Sequence, residues 1–495
     1  MEFLSHVNAN VSDDPQYKRS VEPPFPETFD KDDVYKLNAS NRTYERQFYS
    51  MYQYRLNTLK NRVDTNAMKK WGDGTKKSAQ GASYITRKDK ILDIKSGETC
   101  WVSGTVFCDL SKKLNILQDV EKGKDDTLPG VPKSYSDDKE EAVVMLEDES
   151  GRAILRSHSN DLLDLNLLVT GCIVAVLGEE VQAGIFDIID IVYPTTSPQR
   201  PLLPISSSSS GTASKKIAIV SGLNMGNEED IKVELLSQFL GGELGGDKEI
   251  ELSSRINHLI IAGDSILPLE TINDEDYSAG LNNNYGSKNV SKVNIETVGK
   301  FDNFIRGILP SIPITIMSGE KDPVECCLPQ QPIHKSFLAN CKPYVGSESL
   351  TLTTNPTWIE EPTRSIRLLG TSGQNISDIL KYLTSTQLQA KGDDVSLQVL
   401  ESCIHWQNIA PTAPDTLYCY PFDNSDPFTL SNETPHVLFA GNQDNYATTT
   451  KNWKLDADGD EISVRLISVP RFAQSGQLVL LDVDTLECEV ITIYK

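Results

Sequence analysis

The stretch from Ile256 to Ser265, reading Ile-Asn-His-Leu-Ile-Ile-Ala-Gly-Asp-Ser, limits the fold more than any other part of the chain. Leu259 to Ala262 are apolar without alternation, so a strand formed here must be covered on both faces. That condition calls for a parallel or mixed sheet carrying helices on its outer sides. Such sheets place their chemistry at the carboxyl ends of the strands. Gly263-Asp264 therefore stands where a metal ligand or an acid–base group would stand in an enzyme, or where its remnant would stand in a scaffold.

With 495 residues the chain is long enough for two or three domains, each with its own core. Nothing approaches the roughly 18 consecutive apolar residues of a membrane span, and Met1 to Asp14 lacks the basic start and apolar centre of a secretory signal. An intracellular protein with no membrane association is expected. Nine cysteines occur without a Cys-x-x-Cys pair, and Cys326-Cys327 are adjacent, too close to share an ordinary structural zinc site. Free thiols in a reducing compartment are the expectation. A net charge of −23, from 70 acids against 47 bases, disfavours gripping nucleic acid with the whole surface and makes protein partners the natural expectation.

Along the chain the texture changes several times. Residues 1–40, polar and proline-rich around Glu22-Pro23-Pro24-Phe25-Pro26, read as an extended arm. Residues 41–88 form a helical segment in which Tyr44, Phe48, Tyr52, Leu56, Leu59, Val63 and Ala67 recur at steps of three and four, the mark of a helix packed on a core. Over 89–193 the period shortens. Thr99 to Cys108, Ala142 to Leu146, Arg152 to Leu155, Leu167 to Leu177 and Ile185 to Val192 read as strands, with tight turns at Glu149-Ser150-Gly151 and Glu180 to Gly184. Five strands in that length predict an OB-type barrel, interrupted by loops at Ser111 to Asp119 and Glu121 to Glu141. Single-strand binding by such a barrel needs a basic groove and exposed rings. Between Lys88 and Tyr193 there are 11 Lys and Arg against 21 Asp and Glu, so direct DNA binding is expected to be weak or absent and protein docking the barrel's use.

Residues 194–216, with four prolines and the serine run Ser206 to Ser210, read as a linker or long exposed loop. Residues 217–495 then alternate strands (Ile217 to Val220, the opening stretch, Ile314 to Met317) with helices (Glu228 to Phe239, Val298 to Ile308). A polar insertion spans Asp274 to Lys292. Later strands are expected at Ile366 to Leu369, His436 to Ala440, Ile462 to Val469 and Leu478 to Val483, with a helix at Ser377 to Leu383. The fold class is α/β plus all-β: an OB barrel followed by a layered β-sandwich flanked by helices.

Four strands end in turns that can converge: Ser221-Gly222-Leu223-Asn224, Gly263-Asp264, Gly319-Glu320-Lys321-Asp322 and Gly441-Asn442-Gln443-Asp444. Their spacing resembles the calcineurin-like metallophosphoesterases, in which Asp-x-His, Gly-Asp, Gly-Asn-His and Gly-His-x-His hold two metal ions roughly 4 Å apart. The positions are kept and the chemistry is not. Ser221 and Leu223 stand for the first Asp and His, Glu320 and Lys321 for the Asn and His of the third motif, and Asn442 and Asp444 for the last two histidines; Lys321 brings only donors. Only Asp264 survives as itself. Of six histidines, His6 and His158 lie outside this domain, His258 and His436 open their strands at the wrong end, and His334 and His405 fall in irregular segments. The alternative kept open is a metal-dependent phosphoesterase or nuclease using Asp264, with Glu320, Asp322 and Asp444 on one hard cation such as Mg²⁺. Gln330 to Phe337 is partly like a sliding-clamp peptide, but it ends on one aromatic, and a buried loop is expected.

A second resemblance reaches further. Met145-Leu146-Glu147-Asp148-Glu149-Ser150-Gly151-Arg152, Val220-Ser221-Gly222-Leu223-Asn224, Leu328-Pro329-Gln330-Gln331-Pro332-Ile333-His334-Lys335, Ser372-Gly373-Gln374-Asn375-Ile376 and Trp406 to Leu417 occur in order over about residues 40 to 495. Together they make the chain resemble the B-subunit family of replicative DNA polymerases, in its delta branch; Tyr49 to Leu56 is similar to the fungal members. The resemblance implies an OB domain fused to an inactivated phosphoesterase domain, acting as a noncatalytic scaffold in DNA replication and repair. It implies as partners the C-terminal metal-binding module of the polymerase delta catalytic subunit and a third, clamp-binding subunit, with the sliding clamp reached indirectly. An iron-sulfur cluster or zinc would belong to the catalytic partner, with no cofactor in this chain. It transfers no catalytic, cofactor-binding or metal-binding residue, and it implies a nuclear location.

Overall fold

The computed structural model describes residues 34–38, 42–74, 76, 84–113, 134–136, 142–157, 167–204, 214–226, 231–268, 294–392, 394–454 and 461–493. Most of the arm at 1–40, most of the two barrel loops, the serine run, the 274–292 insertion, His6 and His158 lie outside the described residues.

The barrel forms from β1 (Thr86–Arg87), β2 (Thr99–Asp109), β3 (Val143–Glu147), β4 (Arg152–Arg156), β5 (Ile173–Gln182) and β6 (Ile185–Val192). Strands run β2-β3-β4-β6-β5, and β5 pairs back onto β2, which closes the sheet and leaves no free edge among these five. Asp148 fixes the β3–β4 hairpin by accepting from the Ser150 and Gly151 amides at 2.7 and 3.0 Å. Two features differ from expectation: a sixth strand, the short β1, joins the sheet from the segment 41–88 expected to be helical, and one expected strand starts late. The apolar run from Leu167 enters its strand only at Ile173, because the chain turns first at Gly171, whose φ is +91°.

Helix α1 (Tyr49–Trp71) lies across β2 and β5, with the Trp71 and Trp101 rings 6.1 Å apart. Its buried line is Met51, Arg55, Leu59, Val63, Ala67 and Trp71. Leu59, Val63 and Ala67 fall where the periodicity puts them; Tyr44 precedes the helix and is exposed, and Tyr52 and Leu56 are half-buried. Arg55 accounts for the shift. Counting apolar residues passes over a charge that the fold places inside with its own partners.

Residues 194–204 correct the expectation of an exposed loop. They run as a docked strap: Ser197 is buried, its amide donates to Gln407 Oε1 at 2.9 Å, and the Thr434 hydroxyl donates to its carbonyl at 2.7 Å. Proline-rich backbone has few donors to satisfy, so it can lie against a folded surface without forming a regular element.

Beyond the strap come β7 (Lys216–Val220), α2 (Ile231–Gly241), α3 (Asp247–Ser254), β8 (Ile256–Ala262), α4 (Ile295–Ile308), β9 (Ile314–Met317), β10 (Leu350–Thr353), β11 (Thr357–Glu361) and β12 (Ile366–Thr371). They are followed by α5 (Gln374–Leu380), α6 (Ser385–Lys391), α7 (Val395–Trp406), β13 (Val437–Gln443), β14 (Ala447–Lys454), β15 (Glu461–Pro470), α8 (Phe472–Ser475), β16 (Gln477–Asp482) and β17 (Cys488–Thr492). Strands β10, β11, β14 and β17, each at the end of a sheet, carry no strong sequence signal because Thr, Glu, Lys and Asn interrupt their apolar residues, even in β10, which is buried throughout. Helices α3, α6, α7 and the one-turn α8 go beyond the sequence expectation, and α7 moves His405 out of an irregular segment into a helix.

Two sheets, β10-β9-β8-β7-β16-β17 and β11-β12-β13-β15-β14, stack face to face. The opening stretch explains itself here. Leu259 and Ile261 point into the core beneath α2 and α4, while Ile260 and Ala262 meet Leu368, Phe439 and Ile467 of the other sheet. The outer face of the second sheet, Leu438 and Leu466 among it, is covered by α5 and α7, and that core runs without a break into the barrel interior at Val102, Leu146 and Phe186. Barrel and sandwich are thus welded.

His258 is wholly enclosed between the strands, with Nε2 2.8 Å from the Thr315 hydroxyl, and burial pushes its imidazole down to about 3. Its unfolded value lies near 6.5, so the unfolded chain binds the extra proton between these limits. Stability is complete above about pH 6.5 and falls as pH drops toward 3, by up to about 1.4 kcal/mol per unit from this group. Denaturant unfolding between pH 7 and 5 is expected to show a shallower acid loss in His258→Gln than in the parent.

Candidate functional site

The four strand-end turns do meet. The Gly222 and Asn224 amides donate to the carbonyls of Gly263 and Asp264, each at 3.0 Å, and the Asn442 amide donates to Ser221 Oγ at 2.8 Å. Asn224, Asp264 and Asn442 all have left-handed backbone, with φ of 46°, 54° and 56°. Asp and Asn tolerate that region better than most side chains, and residues held there cluster where strands deliver groups to a site. Gly319 is required by contact: a Cβ there would lie 2.1 Å from the Asp264 amide nitrogen.

Within this fan the side chains go their own ways. Asp264 is buried and accepts from the Lys321 amide at 3.1 Å, and the Lys321 ammonium lies 3.9 Å from its second oxygen while donating to Asn224 Oδ1 at 3.0 Å. Burial raises the Asp264 carboxyl above its ordinary range against the pull of Lys321 and Arg471. Asp322 turns away from the opening, taking the Ser265, Ile266 and Gly319 amides at 2.8, 3.3 and 2.8 Å; burial, then the Asp264 charge, pushes it up to about 7. Glu320 is exposed, and Asp444 is 84% exposed and paired to Arg471. Glu320, Asp322, Asp444 and Asp264 are therefore not brought together around one point. Leu223 is sealed in the apolar core beneath α2, and the Asn442 amide nitrogen is spent on the carbonyls of Ala262 and Ser372 at 3.3 and 2.9 Å. Asn224 and Arg471, which sequence reasoning did not single out, supply the remaining polar groups at the opening.

The other marked motifs hold the body together. Leu328 to Lys335 meets Ser372 to Ile376 in a buried amide network: the two hydrogens of Asn355 Nδ2 are shared among Gln330 Oε1, Ser372 Oγ and Gln374 Oε1, at 2.8, 2.7 and 2.9 Å. Gln330 is fully enclosed, so the clamp-like peptide is a buried loop at its start, and His334 caps a short turn by accepting from the Ser336 amide. Trp406 to Leu417 is the hub between the two bodies. Gln407 Oε1 receives Arg62 of α1 at 2.6 Å as well as the strap, while Asp378 collects the hydroxyls of Tyr135, Thr412 and Thr416 at 2.7, 2.6 and 2.7 Å. Arg55 donates to Asp426 at 2.6 Å and to the carbonyls of Pro411 and Ala413 at 2.7 and 2.8 Å, with both charged side chains wholly buried. No local signal marks Arg55, since its partners lie more than 350 positions away.

Comparison with known proteins fits this division. Residues 47–191 match the family model of the DNA polymerase delta subunit OB-fold domain, and residues 217–449 match that of the B subunit of DNA polymerase alpha/epsilon. The DNA polymerase delta small subunit of Saccharomyces cerevisiae is 35% identical over 492 residues, covering 94% of this chain and 93% of its own. The chain belongs to the DNA polymerase delta small-subunit family. DNA polymerase delta subunit 2 of Drosophila melanogaster is 31% identical, over 92% of this chain and 95% of its own, and the small subunit of Oryza sativa is 32% identical, over 81% and 85%. The fold expected from the sequence, an OB domain followed by a phosphoesterase-like domain, is the family's, and the function is that of a non-catalytic subunit of the polymerase holoenzyme. No helix among the described residues is long and apolar enough to cross a membrane.

Proposed function

We propose that this chain is a scaffold that joins the C-terminal metal-binding module of the polymerase delta catalytic subunit to a third, clamp-binding subunit, and that its phosphoesterase-like domain performs no chemistry. The observation that carries the reading is what fills the strand-end fan. An ammonium at Lys321 and an amide at Asn442 already bonded to two carbonyls, with Leu223 withdrawn into the apolar core, do not fit two divalent cations, which need carboxylates and neutral imidazoles. An iron-sulfur cluster or zinc belongs in this reading to the catalytic partner. The nucleus is the location that goes with replication, and the acidic balance of the barrel supports docking on protein rather than on DNA.

Rigidity is the second support. The weld through Trp406 to Leu417 gives barrel and sandwich one fixed geometry, which is what a protein holding two others in register requires. Co-expression tests the proposal: the catalytic subunit's C-terminal module is expected to co-purify with the full chain, and its failure to do so refutes the scaffold role. Turnover of an aryl phosphodiester with Mn²⁺ or Mg²⁺ is expected to be absent; activity that disappears in Asp264→Ala would establish the enzymatic alternative instead.

A further inference from the structure

Of the nine cysteines, six are buried, Cys327 and Cys488 are half-buried, and Cys326 is exposed. The adjacent pair lies in the loop between β9 and the buried Leu328, and both flanks of that loop are tied down. Just before it, the Glu325 carboxylate accepts from Arg42 Nη1 at 2.8 Å and from the Tyr44 hydroxyl at 3.3 Å, and its carbonyl accepts from Gln330 Nε2 at 3.1 Å. Just after it, the Leu328 amide donates to the Tyr418 carbonyl at 2.9 Å, and the Tyr420 amide donates to the Leu328 carbonyl at 2.8 Å. Within the pair, Cys326 is exposed and Cys327 half-buried.

We propose that Cys326 and Cys327 are a redox-active dithiol, converted by a low-molecular-weight disulfide such as oxidised glutathione into a disulfide between neighbours, and that closure of this ring releases the Glu325 clasp on residues 42–48. The Cys326 thiolate attacks one glutathione sulfur; the glutathione disulfide bond breaks, and one glutathione leaves as a thiolate and takes up a proton. Cys327 then gives its proton to solvent and attacks the Cys326 sulfur. The mixed disulfide breaks and the second glutathione leaves and is protonated. Two protein thiols are oxidised and one glutathione disulfide is reduced to two thiols.

The order follows from the surroundings. Exposure makes Cys326 the sulfur that an external disulfide can reach. Burial first, then the charges of Cys326 and Glu325, push the Cys327 thiol up to about 11, which makes it the slower, second thiol. Ring closure cannot leave the loop as it is. Ordinary disulfides hold their Cα atoms about 4.4 to 6.8 Å apart, whereas neighbours sit about 3.8 Å apart, so the ring strains the peptide between them, and in the proposed switch that strain is relieved by displacing Glu325, the residue next to the ring. A ring strained in this way is also easily reduced, as a reversible modification requires.

The experiment treats the full chain with glutathione buffers from reduced to oxidised and reads intact mass, the sulfur linkage of the 326–327 peptide and hydrogen exchange of residues 42–48. The expected result is loss of two hydrogens at this peptide in oxidised buffer, reversed in reduced buffer, with exchange over 42–48 several-fold faster in the oxidised form. Cys327→Ser is expected to stop at a stable glutathione adduct on Cys326, and Cys326→Ser to gain neither adduct nor disulfide there. A pair that stays reduced in oxidised buffer, or a Cys326→Ser chain modified as fast as the parent, overturns the proposal. A neighbour disulfide that forms and leaves exchange over 42–48 unchanged overturns its coupling to the clasp.

Discussion

Arg55→Met is expected to destabilise the full chain by about 3 to 5 kcal/mol, the largest effect of any single substitution in α1. Methionine keeps most of the volume but removes three hydrogen bonds, and it leaves Asp426 as a buried carboxylate without a countercharge, held by the Phe428 amide at 3.1 Å and the Asn408 side chain at 3.5 Å. Gly171 of the barrel closes the site from the other side; a Cβ there would lie 2.0 Å from the Pro411 carbonyl oxygen and 2.6 Å from Arg55 Nη1, so nothing can move in to compensate. Pairing the change with Asp426→Leu is expected to recover much of the loss, because the cost lies mainly in the stranded charge. Denaturant midpoints of the parent, the two single variants and the double variant give the coupling directly. If Arg55→Met unfolds at the parent's midpoint, the buried pair does not hold α1 to the sandwich.

Leu223→His is expected to destabilise the chain by about 3 kcal/mol and to bring no gain in Mn²⁺ affinity. The substitution restores the imidazole of an active phosphoesterase at that position in the motif. Its side chain, however, would sit in the apolar core that Leu223 shares with Val233, Leu236 and Ile266. Unfolding and metal titration on the same preparation separate the two consequences. A variant as stable as the parent that binds Mn²⁺ with a new affinity would mean that position 223 still faces the strand-end opening, contrary to the packing described.

Much of the fold was legible because its central strands declare themselves. Ile217 to Val220, Leu259 to Ala262 and Ile314 to Met317 are apolar on both faces, a pattern that admits few arrangements, and turn chemistry at Gly151 and Gly184 fixed the barrel hairpins. The edge strands β10, β11, β14 and β17 were not legible, since polar residues break their apolar pattern even where, as in β10, the fold buries them. At the strand-end turns, the sequence named the positions that converge, including Ser221, Asp264, Lys321 and Asn442. It could not say which way each side chain turns: Asp322 looks like a ligand in the motif and spends its oxygens on three amides instead.

By itself, then, the order of residues determined two bodies, the closure of one into a barrel, the layering of the other and the family to which both belong, because those follow from periodicity and from motifs read along the chain. Only the tertiary structure decided that the two bodies share one core. That weld rests on Arg55 with Asp426, on Arg62 and Ser197 with Gln407 and on Tyr135 with Asp378, pairs separated by hundreds of residues. A buried charge is stable only where its partners surround it, and no local pattern records where distant partners will stand.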